Sequence, residues 1–328
     1  MNNTGLATVA YLNGTEPQGS IYYVDMNGNL QEKRKIFSDN NYWNQFNLGS
    51  TMKKSLVGNI SVPKNTDKDP ENDWDSFRIA AAYSDAFPGG PQVRLFYHQP
   101  QINGNGTWIQ ELIWFQNNDT WAEGAQFPDA WPRAHMVATI DDTTQILRLF
   151  FSIGGKTLQE YYAFVNDPDL TYKQGLRLKS FLSANNADLA VVSNNGTTYL
   201  YHQGASSANS IREVTITGIP GSTDRQETYN LTESVAVQAS SDSKRPNTYV
   251  PFTAALSATV KGLKSQIYLF WSDRVAGDPK LTGGVEGGYS QLSQISRNIT
   301  SPTFPTDKNS INTIPLGESN SQPADMGS

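Results

Sequence analysis

Glutamate recurs in one sequence context at four places, each time after an aliphatic residue and then Gln or Arg. The copies are Leu30-Gln31-Glu32, Ile109-Gln110-Glu111, Leu158-Gln159-Glu160 and Ile211-Arg212-Glu213, with Leu292-Ser293-Gln294 as a degraded fifth. In two copies an arginine precedes the glutamate among large apolar residues, Arg94 before Glu111 and Arg148 before Glu160. Because a guanidinium grips a carboxylate or a polar ligand through paired N–H groups, each arginine is either a ligand clamp or an ion pair of the fold. The glutamates have a structural alternative, in which each holds strand ends or turn amides in every repeat.

Histidine is the second residue type that could do chemistry, and the chain has three. His98 and His202 both follow tyrosine in a Tyr-His-Gln triplet, so the pattern predicts an ordinary repeat position, with catalysis as the alternative. His135 has no counterpart. The chain has no cysteine and no His-Glu spacing typical of a zinc-binding helix, so we expect neither a metal nor a cofactor.

Three strand patterns, repeated in a fixed order, position these residues. The first is a strand of small residues, which recurs as Leu6 to Ala10, Ile79 to Tyr83, Met136 to Thr139, Leu189 to Val192 and Phe252 to Leu256. The second is an aromatic strand, which recurs as Ile21 to Val24, Arg94 to Gln99, Arg148 to Phe151, Tyr199 to Gln203 and Ile267 to Trp271. The third carries the glutamate, and an outer strand follows it, with an aromatic at Tyr42-Trp43, Trp121 and Tyr172. Four strands per repeat, with the smallest residues innermost, are typical of a propeller blade.

The repeat therefore predicts an all-β, five-bladed β-propeller of four-stranded antiparallel blades, with six blades as the alternative. A β-sandwich or jelly roll is the rival, but five phased copies of the same strands favour the propeller. We expect a single propeller domain over residues 1–315, closed by a strand near Ile311 to Ile314, and a flexible tail over 316–328. Polar segments without strand periodicity, Thr51 to Trp74, Asp242 to Val250 and Arg274 to Gly288, are predicted as rim loops.

Charge and composition exclude several classes of partner. The net charge of −6 and the pI near 5.1 leave no basic surface for nucleic acid, and no apolar run reaches the roughly 20 residues of a membrane span, so neither is expected as a partner. Met1-Asn2-Asn3-Thr4 is polar, so we interpret the chain as a mature form of a secreted protein. Whether it forms a homodimer is left open. Asn-x-Ser/Thr triplets make these asparagines candidate glycosylation sites: Asn13, Asn59, Asn105, Asn118, Asn195, Asn230 and Asn298.

The order Arg-aliphatic-aromatic-aromatic, then aliphatic-x-Glu, then an aromatic resembles the repeat of the fungal fucose-specific lectins. The resemblance covers most of the chain and implies that Arg and Glu bind the hydroxyls of fucose while an aromatic stacks on its apolar face. Carried over, Arg94, Glu111 and Trp121 form one set, and Arg148, Glu160 and Tyr172 form a second. Ser20, Thr198 and Ile267 occupy the arginine position in the other repeats, so most sites are degenerate.

The loss of those arginines suggests a propeller diverted to another use, and the chain also resembles the fungal hetero-Diels–Alderases of tropolonic sesquiterpenoid pathways. That resemblance implies a cofactor-independent pericyclase of secondary-metabolite (meroterpenoid) biosynthesis. A tropolone would lose water to give a quinone methide, which adds to a humulene-type sesquiterpene inside an aromatic pocket that excludes water. The candidate polar groups are Arg94, His98, His202 and Arg274, and the candidate pocket walls are Tyr83, Trp114, Trp131, Trp271 and Tyr289.

The main function prediction is this pericyclase, and the alternative is a secreted fucose-binding lectin with degenerate sites. The predicted partners are accordingly a tropolone with a sesquiterpene, or a fucosylated glycan. A glycosidase is a third alternative, because Asp85, Asp141 and Asp188 lie at the ends of inner strands, but no other hydrolase motif accompanies them.

Overall fold

The computed structural model of the chain describes residues 6–24, 30–36, 78–100, 107–131, 134–182, 188–203, 210–218, 230–238, 252–256, 266–275, 289–298, 304 and 312–314. These residues form nineteen strands and no helix. A helix long and apolar enough to cross a membrane is therefore not found in these ranges.

The strands form five antiparallel sheets in chain order. The first sheet holds β1 (Leu6–Asn13), β2 (Glu16–Val24) and β3 (Leu30–Ile36). The second holds β4 (Ile79–Ser84), β5 (Gln92–Pro100), β6 (Thr107–Phe115) and β7 (Thr120–Ala130). The third holds β8 (Met136–Asp141), β9 (Ile146–Ser152), β10 (Leu158–Phe164) and β11 (Lys173–Leu178). The fourth holds β12 (Leu189–Asn194), β13 (Thr197–Gln203), β14 (Ser210–Thr217) and β15 (Asn230–Gln238). The fifth holds β16 (Phe252–Leu256), β17 (Gln266–Val275), β18 (Tyr289–Asn298) and β19 (Asn312–Ile314).

The first strand of each sheet packs against the first strand of the next. Strand β1 lies on β4, β4 on β8, β8 on β12 and β12 on β16, so the sheets follow one another around an axis. Small residues such as Ala81, Ala82 and Ala138 fit there because the strands converge. The chain is thus an all-β propeller, as the repeat predicts, and the number of blades in the complete ring stays a prediction.

Large side chains fill the wider spaces between sheets. Between the second and third sheets, the rings of Phe127 and Tyr161 meet edge-on with centroids 5.1 Å apart, and Phe151 stacks on Tyr161 at 5.6 Å. Phe127 and Phe151 are fully buried. Each such side chain stabilises the fold by about 1.5–3 kcal/mol through the apolar surface it removes from water. The core therefore consists of clusters between neighbouring sheets.

The five inner, five aromatic and five glutamate strands occur where the repeat places them. The strand predicted near Ile311 to Ile314 is present as β19, which pairs with β18 and is the fourth strand of the last sheet. One boundary is wrong: Arg274 lies on β17, paired with Ser290, because the β17–β18 hairpin extends to the Val275–Tyr289 pair. The Tyr42-Trp43 strand, the predicted loops Thr51 to Trp74 and Asp242 to Val250, and the 316–328 tail lie outside the described residues.

Candidate functional site

All four repeat glutamates are buried, and an arginine pairs with each of them. Their exposed fractions are 2% for Glu32, 1% for Glu111, 0% for Glu160 and 3% for Glu213. The N···O distances are 2.7 Å for Arg34–Glu32, 3.1 Å for Arg94–Glu111, 2.6 Å for Arg148–Glu160 and 2.8 Å for Arg297–Glu213. Because a buried carboxylate without a cation is strongly destabilising, each pair is required by the fold whether or not a ligand binds.

Strand register explains the two pairs that the sequence predicts. Phe96 on β5 lies opposite Glu111 on β6, and Arg94, two residues before Phe96, projects from the same face of the sheet. Phe150 and Glu160 repeat this arrangement in the third sheet, with Arg148 in the matching place. The structure therefore brings each of these arginines together with the glutamate of its own repeat.

The glutamates also fix the outer strands. The second carboxylate oxygen of Glu111 accepts the backbone N–H of Ala125 at 2.9 Å, and that of Glu160 accepts the N–H of Leu176 at 2.9 Å. The strand pairing shifts register beside both glutamates. At Gly124 a Cβ would lie 2.2 Å from the Glu111 carboxylate, and at Gly175 it would lie 2.2 Å from that of Glu160. The carboxylates thus occupy the space that these glycines leave open.

In the first sheet the arginine comes from a different strand. Ser20 occupies the arginine position on β2, and Arg34 lies directly opposite it on β3. The Ser20 hydroxyl donates to Glu32 at 2.6 Å, and the Arg34 guanidinium donates to both Glu32 oxygens. Burial opposes the charged form of Arg34, but its hydrogen bond to Glu32 and the charge of Glu32 outweigh burial and raise the pKa of Arg34. Sequence reasoning missed Arg34, although its place two residues after Glu32 puts both on one face of the strand.

In the fourth sheet the register corrects the residue assigned to the arginine position. Tyr201 lies opposite Glu213, which places Tyr199 in the arginine position, not Thr198. The cation is Arg297 of the fifth sheet, whose guanidinium lies 5.0 Å from the centre of the Tyr199 ring. The recurring Tyr-His-Gln triplet is therefore out of phase with the glutamate repeat in this sheet.

The aromatic residues belong to different sets from those predicted. Trp121 pairs with Trp114 on the face of the second sheet that packs against the first, whereas Glu111 is on the opposite face, toward the third sheet. The Trp121 ring meets Tyr22 of the first sheet edge-on at 6.0 Å. Tyr172 of the third sheet likewise reaches back to Glu111 of the second. Each aromatic therefore packs against the preceding sheet, and Tyr172 bonds to the glutamate there.

We call the space between the first and second sheets, bounded by Glu32, Arg34, Trp114, Asp119 and Trp121, the first groove. The Arg34 guanidinium lies 4.1 Å from the centre of the Trp114 ring and binds Asp119 at 3.2 Å. Asp119 adopts a left-handed backbone conformation with φ of 50°, which its short polar side chain tolerates, and it accepts the Trp114 indole N–H at 2.8 Å. The Arg34 side chain is 23% exposed and that of Asp119 is 63% exposed, so these two form the solvent side of the groove.

The Trp121 indole nitrogen is the distinctive group of this groove. It is buried and has no hydrogen-bond acceptor within the part of the chain that the structure describes. A buried donor without an acceptor costs about 1–3 kcal/mol. The Tyr22 hydroxyl, by contrast, donates to Glu32 at 3.3 Å, and burial raises the pKa of Tyr22 well above its ordinary value. The groove thus holds one unused donor beside a complete ion pair.

We call the space around Arg94, Glu111 and Tyr172, between the second and third sheets, the second groove. Arg94 binds Glu111 at 3.1 Å and Gln92 at 2.6 Å, and its guanidinium lies 4.6 Å from the centre of the Phe87 ring. The Tyr172 hydroxyl donates to the same Glu111 oxygen at 2.5 Å. Between the third and fourth sheets, Arg148 donates to the carbonyl oxygen of Gly218 at 3.1 Å, which ties those sheets together.

The histidines predicted for a cyclase lie apart from each other. His98 contacts the carbonyl oxygen of Ala134 at 2.8 Å, between the second and third sheets, and burial lowers its pKa to about 4. The His202 ring lies 4.1 Å from that of Phe181, between the third and fourth sheets. The two residues therefore face the third sheet from opposite sides, and the structure does not support their predicted equivalence.

The other predicted cyclase residues are also dispersed. The Tyr83 ring is tilted against that of Tyr11 with centroids 5.2 Å apart, Trp114 is in the first groove, and Trp131 is 43% exposed. The backbones of Trp271 and Arg274 are on β17 and that of Tyr289 is on β18, but their side chains lie outside the described residues. A cavity of about 230 Å³ along the inner strands is lined by Ala81, Ala82 and Tyr83 among others, and Tyr83 is the one predicted cyclase residue on its described wall.

The carboxylates considered for a glycosidase are engaged in structural contacts. Both oxygens of Asp141 accept backbone N–H groups, at 2.8 Å from Thr144 and at 2.8 Å from Gly196 of the next sheet. Asp188 pairs with His135 at 2.5 Å. Within the described ranges, no three His, Asp or Glu side chains cluster as metal ligands would.

The candidate glycosylation sites divide by position. Asn13, Asn118, Asn195 and Asn298 are exposed. Asn59 and Asn105 lie outside the described residues, as does the side chain of Asn230 at the start of β15. Occupancy by glycans stays a prediction.

Comparison with known proteins adds information about the fold. No protein-family model matches the chain, and neither does any curated protein. Among solved structures, a mutant lectin of Aleuria aurantia in complex with α-methyl-L-fucoside is 14% identical with a TM-score of 0.60, covering 96% of this chain and 79% of the lectin. A second structure of that lectin, described as a six-bladed β-propeller with a novel fucose recognition mode, is 18% identical with a TM-score of 0.59 and the same coverage.

A third similar structure is AofleA from Arthrobotrys oligospora, 13% identical with a TM-score of 0.61, covering 96% of this chain and 73% of that protein. At these identities the likeness concerns the fold. The comparisons therefore support the β-propeller fold of this chain, and the fold is what they establish about it.

Proposed function

We propose that this protein is a carbohydrate-binding propeller that takes fucosides, and that the first groove is its principal binding site. The observation that carries the proposal is the buried Trp121 indole N–H, which has no acceptor among the described residues. The Trp121 ring meets Tyr22, whose hydroxyl donates to Glu32 of the Glu32–Arg34 pair. The likeness of the fold to lectins that bind fucosides supports the choice of ligand class.

The groove offers groups that suit a small sugar. A ligand hydroxyl that enters beside Arg34 could accept the Trp121 N–H and relieve an unpaired donor. The exposed carboxylate of Asp119 would accept hydrogen bonds from further hydroxyls, because its donors among the described residues all bind Oδ1 and an ionised carboxylate has several acceptor positions. The rings of Trp114 and Trp121 are buried and form the apolar wall beneath these polar groups. Polar groups on one side and rings on the other are the combination that such a ligand needs.

The experiment is a calorimetric titration with α-methyl-L-fucoside of the wild type and two variants. Trp121→Phe keeps a ring but removes the N–H, so we expect binding to weaken by about five- to tenfold, the effect of one hydrogen bond. Arg34→Ala removes the guanidinium that holds Glu32 and Asp119 in place, and we expect a larger loss. Arg177→Ala, at an exposed position on β11, is the matched control and should bind as the wild type does.

Wild-type protein that gives no heat with millimolar fucoside would overturn the proposal. Equal binding by Trp121→Phe and the wild type would remove the first groove as the site. Because Arg34→Ala could lower stability, thermal unfolding of each variant shows whether a loss of binding reflects a loss of fold.

The cofactor-independent hetero-Diels–Alderase stays a prediction from resemblance. No contact among the described residues favours it, because Arg94 is engaged by Glu111 and Gln92 and the histidines lie in separate grooves. Incubation with a hydroxymethyl-tropolone and a humulene-type alcohol tests it directly. A stereoselective adduct above the uncatalysed background would support an enzyme, and none would end that prediction. Secretion, glycosylation and a homodimer likewise stay predictions.

A further inference from the structure

We propose that the second groove is a latent copy of the ligand site, closed by the hydroxyl of Tyr172, which occupies the place on Glu111 that a ligand hydroxyl would take. The inference rests on the proposed carbohydrate function. It assigns Tyr172 a role in setting how many ligands the chain binds, which the sequence motif alone does not indicate.

The glutamate and the aromatic donor are equivalent residues in the two grooves, whereas the arginine comes from β3 in the first and from β5 in the second. Trp121 precedes Gly124 by three positions, and Tyr172 precedes Gly175 by three. Each glycine leaves room for the carboxylate of its own sheet, Glu111 or Glu160, so the two outer strands have the same phase. Trp121 and Tyr172 therefore occupy the same place in consecutive sheets, and each projects toward the sheet before it, Trp121 onto Tyr22 and Tyr172 onto Glu111.

The difference between the grooves is the partner of this aromatic donor. The Trp121 N–H has no acceptor among the described residues, whereas the Tyr172 O–H donates to Glu111 Oε1. Arg94 donates to the same oxygen, and the Ala125 amide donates to the other. Both oxygens of the Glu111 carboxylate thus have donors without a ligand.

The Tyr172 side chain is held in this position by its surroundings. Its ring meets Phe127 edge-on at 4.9 Å and Phe96 at 6.5 Å, so it does not rotate freely. Burial and the nearby Glu111 charge raise the pKa of Tyr172 well above its ordinary value, which keeps the hydroxyl protonated as a donor. The contact of Tyr172 with Glu111 is what closes the groove, and a protonated hydroxyl is consistent with that contact.

The arginine of the second groove retains an unused donor. The Nε atom of Arg94 is buried and has no acceptor in the described part of the chain, although both terminal nitrogens are bonded. Arg94 is 6% exposed. If the groove is a ligand site that Tyr172 closes, we expect an arginine with an unused N–H beside a glutamate that a tyrosine hydroxyl binds, as Arg94 and Glu111 are here.

The test compares fucoside stoichiometry in the wild type, Tyr172→Phe and Tyr161→Phe. Tyr172→Phe removes the hydroxyl from Glu111 and keeps the ring, so we expect one additional α-methyl-L-fucoside per chain relative to the wild type. Tyr161→Phe is the matched control, because Tyr161 is in the same aromatic cluster but its hydroxyl accepts from Gln174 and does not contact Glu111. The control should keep wild-type stoichiometry.

The outcomes separate this inference from the proposed function. A wild type that binds fucoside and a Tyr172→Phe variant of unchanged stoichiometry would overturn the latent site and leave the proposed function standing. If the wild type does not bind fucoside but Tyr172→Phe does, the result would support the latent site and show that the first groove is not the binding site of the wild type. Absence of binding in both proteins would overturn both proposals.

Discussion

A glutamate buried at the same place in successive sheets creates the same electrostatic need each time, and this chain meets it from different directions. The cation comes from the strand before the glutamate at Arg94 and Arg148, from the glutamate's own strand at Arg34, and from the next sheet at Arg297. The charge pair is thus retained while the residue that supplies the charge changes. A sequence comparison that tracks one arginine position counts these repeats as degenerate, whereas their electrostatics are intact.

Sequence reasoning at this scale succeeded for residues whose partners are in their own repeat. It paired Arg94 with Glu111 and Arg148 with Glu160, because the strand spacing puts them on one face. It missed Arg34 and Arg297, because an arginine outside the repeated position has no pattern that marks it. It also placed Thr198 where the register has Tyr199, because the Tyr-His-Gln triplet is shifted relative to the glutamate.

His98 provides a test of burial at the residue scale. Its folded pKa of about 4, caused first by burial and also by nearby Arg78 and His135, is below the ordinary value of 6.5. Between these pH values the unfolded chain takes up a proton that the folded chain does not, so stability should fall as the pH drops from 6.5 to 4. The shift corresponds to about 3 kcal/mol.

Chemical denaturation of the wild type and His98→Gln across this pH range checks the prediction. Glutamine keeps a donor for the Ala134 carbonyl oxygen but does not titrate, so its stability should decline less below pH 6.5. Parallel pH profiles for the two proteins would show that His98 is not the group responsible.

At the scale of the strand, the outer strands are attached by the glutamates as well as by pairing. Each carboxylate accepts an amide of the outer strand beside a shift in register, and a glycine leaves room for it. Bulges of this kind redirect a strand, and here they bring Trp121 and Tyr172 to the preceding groove. The glutamates therefore have a structural role in every sheet where this contact occurs.

Gly124→Ala should destabilise the protein, because the added methyl group would lie 2.2 Å from the Glu111 carboxylate. Overpacking of this kind costs about 1–3 kcal/mol. A double-mutant cycle measured by thermal unfolding gives a specific check. In the Glu111→Ala background, the carboxylate is absent and Gly124→Ala should cost much less. Equal costs in both backgrounds would contradict the contact.

The positions of the strands were predictable from the sequence. The face of the sheet from which the aromatic residue of the outer strand projects was not. Alternating small, aromatic and glutamate strands have distinct compositions, so their positions follow from the sequence. The face of the sheet from which Trp121 projects depends on the register of β7 against β6 and on the register shift beside Glu111. The sequence around Gly124 does not reveal that shift. The arginine, glutamate and aromatic residues predicted to meet within one repeat are therefore distributed over two neighbouring sheets.

At the scale of the whole molecule, radial packing converts sheet repetition into a series of grooves. The first strands of consecutive sheets contact one another, so the side chains on one face of each sheet lie against the next sheet. Composition and repetition predicted this architecture, because each sheet buries its faces only against neighbours. They could not predict which groove is open, because that depends on single contacts such as Tyr172 with Glu111.

The most direct test of the central claim is a difference electron-density map from crystals soaked in α-methyl-L-fucoside. We predict sugar density in the first groove, with a hydroxyl within hydrogen-bond distance of the Trp121 indole nitrogen and others near Asp119, and none beside Glu111. Density confined to another part of the molecule, or an unchanged first groove at saturating fucoside, would contradict the account.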